Sequence, residues 1–286
     1  MKSILTILFI TVSLMANALS DSSSSPLTMS GYIETYYLYD FNKPVNYTMP
    51  SFMYSNRHNE INLNLDFVKL AYQKKYTRAN LAVATGTYIN ANYSGEQAVL
   101  KNLYEANAGV KLSKSKELWL DAGIFASHIG CEGAIGKDNR ILTKSMLAEN
   151  CPYFETGAKL SYTSPNGKWF ISGLIMNGRQ MRYFHNFYGI FQLSKQLSLT
   201  TSFDIGAEQK TKGSHQMNTW YSPLVILRLS TDSRNNIASR VEYYNDANGV
   251  IISTSSPDGF KTRGYSLNYD RIISRKCFMA YRSPWS

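Results

Sequence analysis

Ile61-Asn62-Leu63-Asn64-Leu65-Asp66-Phe67 alternates apolar and polar residues without a break. Successive side chains of a β-strand point to opposite faces, so this stretch predicts a strand with one apolar face and one face of Asn, Asn and Asp. A soluble sheet would turn the polar face to water and the apolar face to a core. A membrane barrel would turn the apolar face to lipid and the polar face to its lumen. The stretch decides for β structure, and its surroundings must decide between the two settings.

The same period recurs on both sides. Over residues 29–41, Met29, Ile33, Tyr37, Tyr39 and Phe41 share one face, with Glu34, Tyr36 and Asp40 on the other. In a strand expected over 79–87, Leu81 and Val83 oppose Arg78 and Asn80, and Ala106, Ala108, Val110 and Leu112 oppose Glu105, Asn107 and Lys111. Leu118, Leu120 and Ile124 oppose Asp121, and Phe154, Ala158, Leu160 and Tyr162 oppose Glu155, Lys159 and Ser161. Further strands are predicted at 168–177, 182–194, 197–207, 218–229, 237–246 and 261–270, which brings the candidates to 12. Most are long enough to cross a bilayer at a tilt, which takes ~9–11 residues.

Connections alternate in length. Short ones fall at 73–77, 113–117, 163–167, 195–196 and 231–236, long ones at 42–57, 90–103, 127–152, 208–217 and 247–260. Outer-membrane barrels have short periplasmic turns and longer extracellular loops, whereas a soluble sandwich has no reason to alternate this way. Residues 178–181 break the rule, because parity makes that connection extracellular and it is only a turn. Tyr183, Phe187 and Phe191 share one face, and Tyr37, Tyr39, Tyr265 and Tyr269 lie on apolar faces near strand ends, as an interfacial aromatic girdle would. The expected fold is all-β, an antiparallel up-and-down transmembrane β-barrel of about 12 strands (12–14).

The N-terminus agrees with export. Met1-Lys2-Ser3 precedes an apolar run from Ile4 to Met15, and Ala16-Asn17-Ala18 offers small residues where a signal peptidase reads. The run is too short for a membrane-spanning helix, which takes ~20 apolar residues. Residues 1–18 are therefore expected to be a cleaved signal peptide and 19–286 the barrel domain. No other segment is apolar and long enough for a transmembrane helix. Charged residues make up 17% of the chain and aromatics 13%, with 21 Tyr, a balance that suits a barrel or a β-sandwich. The formal charge of +10 loses one lysine with the leader, giving +10 − 1 = +9. That sign fits anionic lipid or anionic solutes, and with no clustered basic helix in an exported chain, nucleic acid is not an expected partner.

Chemistry-bearing residues are sparse. His58, His128, His185 and His215 are far apart and show no metal-ligand spacing. Ser127-His128 shares a strand end with Asp121, but no nucleophile elbow accompanies it, and the pair reads as a loop anchor. Gly130, Gly133 and Gly136 lack the strand-to-helix setting of a dinucleotide site and read as loop punctuation. Cys131 and Cys151 bracket one long loop, where a bridge or two free thiols are equally compatible with the spacing, and Cys277 stands apart. The same loop holds a candidate short helix at 141–149, which either enters the lumen or covers its mouth. By strand parity the lumen-facing charges are Glu34, Asp40, Asp66, Arg78, Glu105, Lys111, Asp121, Glu155, Lys159, Arg182, Arg240 and Glu242. Such charges tune ion passage or, paired, fill a plugged barrel. No catalytic residue, metal or cofactor is expected.

Several stretches taken together resemble a known family. They are Ser30-Gly31-Tyr32-Ile33-Glu34-Thr35-Tyr36-Tyr37 with Asp40-Phe41-Asn42, Arg57-His58-Asn59-Glu60, the run from Asp121 through Gly130, Ala148-Glu149-Asn150 with Pro152-Tyr153, and Arg182-Tyr183-Phe184-His185-Asn186. In this order they resemble the β-barrel porins of the OmpL-like group, found widely in Bacteroidetes, over roughly residues 30–270. The resemblance implies a Gram-negative outer-membrane location and a porin role, with outer-membrane lipid and small polar solutes or ions as partners. It carries over no catalytic residues. The chain departs from the group at 178–181, where members have more residues and a strand pair with its loops is missing, and after Asp270, where the alternation fades. The second departure leads to the expectation of a natural C-terminus lost by truncation or frameshift. Besides a diffusion porin, a structural or adhesive surface barrel, a truncated non-functional barrel and a secreted β-sandwich fit these residues. The solute and the oligomeric state are not legible.

Overall fold

The alternating segments become strands because their β-branched and aromatic residues favour an extended, half-covered backbone. The computed structural model describes residues 7–17, 25–49, 54–127, 129–178, 181–254, 256–274 and 277–285. In chain order the strands are β1 (Ile7–Asn17), β2 (Leu27–Asp40), β3 (Ile61–Leu63), β4 (Asp66–Gln73), β5 (Thr77–Thr85), β6 (Leu103–Lys111), β7 (Glu117–Ala126) and β8 (Phe154–Thr163). They continue with β9 (Phe170–Met176), β10 (Arg182–Gln192), β11 (Leu197–Gln209), β12 (Met217–Ser230), β13 (Asn235–Asp246), β14 (Phe260–Ser274) and β15 (Cys277–Trp285). Two short helices interrupt the loops, α1 (Thr87–Asn92) and α2 (Met146–Asn150). All ladders are antiparallel, in one sheet of order β10-β11-β12-β13-β14-β15-β1-β2-β4-β5-β6-β7-β8-β9, with β3 added on β2. The molecule is all-β, as expected. No helix of the described residues is long and apolar enough to cross a membrane.

One face of the sheet is the inner face, against which residues 127–153 pack. Ser198, Thr200, Ser202 and Asp204 on β11 and Asn236, Ala238, Arg240 and Glu242 on β13 are buried there. The opposite face shows Val225, Leu227, Leu229, Ile237, Val241 and Leu267, all well exposed. A continuous apolar belt of this kind is unsustainable in water and suits hydrocarbon.

Four features differ from the sequence reading. The run 61–67 is not one straight strand. Tyr36 pairs with Asn62 and Tyr32 with Phe67, so the chain advances five positions while β2 advances four. The extra residue makes a β-bulge, which turns later side chains to the other face. Ile61 and Leu63 therefore stay outside, while Leu65 and Phe67 turn in and are buried. Secondly, the helix expected at 141–149 shortens to α2, because residues 141–143 bend against β12–β14 and Ser145 supplies the N-cap, its Oγ accepting from Ala148 N at 3.3 Å. Thirdly, the strand expected to run to Thr87 ends at Thr85, where Gly86 takes φ +110° and α1 begins. Lastly, strands form at both ends: residues 7–17 form β1 between β15 and β2, and 277–285 form β15 on β14. Residues 1–6 and Ala18, the expected cleavage position, lie outside the described residues, as does His128.

Candidate pore lumen and its inserted loop

The loop between β7 and β8 carries the site. Its Ile141 is wholly buried against Leu224, Ile226 and Ala238 on the inner faces of β12 and β13. Leu147 packs on Tyr244 of β13. Of the two placements open to it, the loop takes the one inside the sheet's curve. Asn139 staples the loop internally, its amide donating to Gly133 O at 2.9 Å and its Oδ1 accepting from Gly133 N at 2.8 Å.

Arg240 is the main anchor. Its guanidinium donates to Glu132 Oε1 at 2.9 Å and to the carbonyls of Thr143 at 2.6 Å and Lys144 at 2.8 Å. Glu242 Oε1 lies 3.1 Å from Arg240 Nε, and Oε2 of the same carboxylate accepts from Met146 N at 2.8 Å. Both arginine and glutamate stand on β13, at positions of like parity, so strand geometry alone aims them at the loop. On a second wall, Glu34 of β2 accepts from Tyr32 and Tyr54, each at 2.8 Å. A Cβ at Gly136 would stand 2.9 Å from Glu34 Oε1, so the loop backbone passes that carboxylate at a distance that suits glycine.

Lys144 is buried between the two walls, its ammonium 4.2 Å from the ring centre of Tyr54 and 4.8 Å from that of Tyr88. Burial pulls its pKa down. Burial likewise pushes the Glu149 carboxyl up to about 7, against a lowering pull from Lys144. A cavity of about 10 Å³ among Tyr88, Ser127, Glu132, Lys144, Cys151 and Tyr153 has room for one water. Cys131 and Cys151 are free thiols, and burial pushes them up to about 12 and about 11. Ser127 Oγ donates to Glu155 Oε1 at 3.1 Å, a loop-end contact rather than a nucleophile facing a base. Among the described residues no cluster of His, Cys, Asp and Glu is arranged to hold a metal.

Of the charges singled out by parity, Glu34, Asp40, Arg78, Glu105, Lys111, Asp121, Glu155, Lys159, Arg182, Arg240 and Glu242 sit on inner-face positions of the ladders. Asp66 does not. It lies at the bulge, on the same side as Val68, and its Oδ1 accepts from Glu34 N at 2.9 Å. The bulge displaced it, which strict alternation could not foresee. Most inner-face charges are paired. Arg78 holds Asp121 in a two-pronged contact, Nε to Oδ1 at 2.6 Å, with its guanidinium 4.4 Å over Trp119. Lys69 meets Glu105 at 2.6 Å, Arg228 meets Asp270 at 3.9 Å, and Arg182 pairs with Glu208. Lys159 lies 4.3 Å over Phe125. Asp204, Arg228 and Asp270 were missed, though parity on their strands could have found them. Glu132, Lys144 and Glu149 were out of reach, because a loop has no period to read.

An antiparallel sheet with a lipid-suited outside, a polar inside and a loop folded into its curve defines the class of outer-membrane channels. Within that class, the family described as "Putative beta-barrel porin-2, OmpL-like" matches residues 26–181 and 178–280, and the chain belongs to it. No curated protein matches the sequence. Among solved structures, OccK2 (OpdF) of Pseudomonas aeruginosa is similar at a TM-score of 0.34 with 6% identity, covering 94% of this chain and 75% of that one. A BenF-like porin from Pseudomonas fluorescens Pf-5 is similar at 0.36 with 10% identity, over 94% and 77% of the two chains. OmpT of Vibrio cholerae, in its trimer form, is similar at 0.33 with 8% identity, over 99% and 100%. The family match, not these likenesses, carries the assignment.

Proposed function

We propose that this porin-family channel admits small polar solutes or ions by passive diffusion across the outer membrane of a Gram-negative bacterium, and that the 127–153 loop is its constriction. The observation that carries the reading is the loop's attachment to two separate stretches of the wall, to β13 through Arg240 and Glu242 and alongside Glu34 of β2. A constriction held from both sides narrows the lumen without closing it by secondary structure alone. The paired charges beside it present a field to passing solutes, with outer-membrane lipid around the apolar belt. Residues 1–18 serve as the export signal and 19–286 as the barrel domain. The protein acts without catalysis and without a cofactor.

The burial of so many inner-face side chains favours a second reading, a barrel with a filled resting lumen and a structural role. Single-channel conductance in planar bilayers separates the two. Discrete ohmic steps are expected, with larger steps when residues 132–148 are replaced by a short Gly/Ser link. Folded protein silent in both forms would establish the structural reading.

A further inference from the structure

Among the described residues, each strand on the sheet's path has two neighbours except β9 and β10, whose outer edges form no ladder, and the short β3 pairs with β2 alone. An open edge at membrane depth leaves backbone groups unsatisfied at several kcal/mol each, so the seam needs a partner. The two matched segments of the family meet at residues 178–181, the connection between these strands.

The faces of β9 and β10 are also unusual. Among the residues whose side chains are described, the large apolar ones exposed on the inner face of the strands are Phe170, Met176, Tyr188 and Ile190, all on these two. Elsewhere among those residues that face is polar or buried.

We propose that β9 and β10 pair with each other across the seam, Leu174 opposite Phe184, Ser172 opposite Asn186 and Phe170 opposite Tyr188, and that the inner side of this joint is a binding lane for solutes with a flat apolar face. Four observations converge on that register. Asn177 N donates to Thr156 O, so odd-numbered residues of β9 turn their backbone to β8 and even-numbered ones turn to the seam. Met181 O accepts from Gln209 N, which gives even-numbered residues of β10 the same role. Even must therefore pair with even, and both sets point inward. Side chains then choose among the even registers. A shift of two either way would set Ser172 against Phe184 or Tyr188, and Asn186 against Leu174 or Phe170, polar against apolar. In the proposed register Ser172 meets Asn186, and one polar row crosses the seam unbroken. It runs from Asp204 and Ser202, both bonded by Asn186, through Ser172 to Ser161, which accepts from Arg78 at 3.4 Å. Outside, Ile175 meets Tyr183, Ile171 meets Phe187, and Trp169 covers Gly189, a pairing in which an aromatic ring shields a glycine.

Closure leaves Phe170, Leu174, Phe184, Tyr188 and Ile190 on the lumen side, beside the charged row of β7 and β8. A passing solute meets an apolar surface with ions next to it. Molecules with an apolar ring and a polar periphery fit both. The lane rests on the pore reading above; the closure does not.

The test uses the full chain, expressed in outer membranes, with its three cysteines replaced by alanine and Ser172→Cys and Asn186→Cys introduced. Directly opposed residues of a hydrogen-bonded pair lie about 5.5 Å apart at Cα, within disulfide reach. Ser161→Cys with Ser172→Cys, opposed in the β8–β9 ladder, is the positive control. Oxidation is expected to link Cys pairs within one chain for both variants. Links between two chains would show instead that a second copy fills the seam. No link beside a successful control would show the edges apart, and either result overturns the closure. In bilayers, phenyl glucoside is expected to block the current at about tenfold lower concentration than glucose, a preference worth about 1.4 kcal/mol, and Phe170→Ser is expected to remove the difference. Equal block by both sugars overturns the lane. A folded protein without current in plain salt overturns the pore reading and the lane with it, while the closure stands or falls by the cross-link.

Discussion

Arg240 stands on β13 with its guanidinium fully enclosed between Glu132 and Glu242, so its removal leaves two carboxylates buried without their cation. Breaking a buried pair from one side costs about 3–5 kcal/mol. Arg240→Ala is therefore expected to free the inserted loop. Limited proteolysis within 127–153 should become rapid while the strands stay protected, and an unchanged digestion pattern would remove Arg240 as the anchor. Glu149 makes a pH prediction. Its folded pKa, about 7, lies above the usual carboxylate value of 4.5. A raised carboxylate favours the folded loop while protonated, so the contribution is full below about pH 4.5 and is lost as pH rises through about 7. Loop docking should weaken across that window, and Glu149→Gln should flatten the dependence. A docking equilibrium that strengthens with pH would refute the assignment. At this scale the sequence was informative on strands and mute on the loop. Arg240 and Glu242 were legible because period 2 gives direction, whereas Glu132, Lys144 and Glu149 acquire meaning only where β2 and β13 approach them.

Strands show the same division between local pattern and context. The inward turn of Leu65 and Phe67 and the outward place of Ile61 and Leu63 follow from one bulge. Leu65→Lys is expected to abolish folding in vesicles, since it would bury an unpaired charge against the Tyr32 and Tyr88 cluster. Ile61→Lys, on the other side of the bulge at an exposed strand end, should be tolerated. Equal damage at both sites would mean that the straight strand read from alternation is the true one. The lipid-facing belt makes a further prediction. Val241 is exposed in the middle of β13. Val241→Arg should lower folding stability in phospholipid vesicles by about 2–4 kcal/mol, the cost of a cation near the bilayer midplane. An effect within experimental error in urea titration would place β13 outside the hydrocarbon.

Over the whole molecule, strand direction links the termini to the closure. β1 runs antiparallel to both β2 and β15, so those two run in the same direction. If residues 1–18 are cleaved, as proposed, antiparallel closure falls to β14 against β2. The ring then holds β2 and β4 to β14, that is 1 + 11 = 12 strands, with β3 a continuation of β4 beyond the bulge. Intact mass of protein purified from outer membranes is expected to correspond to a chain beginning at Leu19. A mass that includes Met1 would keep β1 in the sheet and raise the ring to 14, since β1 and β15 would both remain.

Alternation, loop lengths and aromatic placement were enough to read the all-β class, the antiparallel meander and which side of most strands is polar, because each is a property of neighbours a few residues apart. The OmpL-like resemblance was carried by local motifs for the same reason. Tertiary structure alone decided the bulge at 64–66, the entry of the 127–153 loop into the sheet's curve and the place of β9 and β10 at the two ends of the sheet's path. These depend on contacts between segments far apart in the chain: Glu34 with Asp66, Arg240 with Glu132, Ile141 with Leu224. A sequence lists the partners, but only the folded sheet brings them within reach.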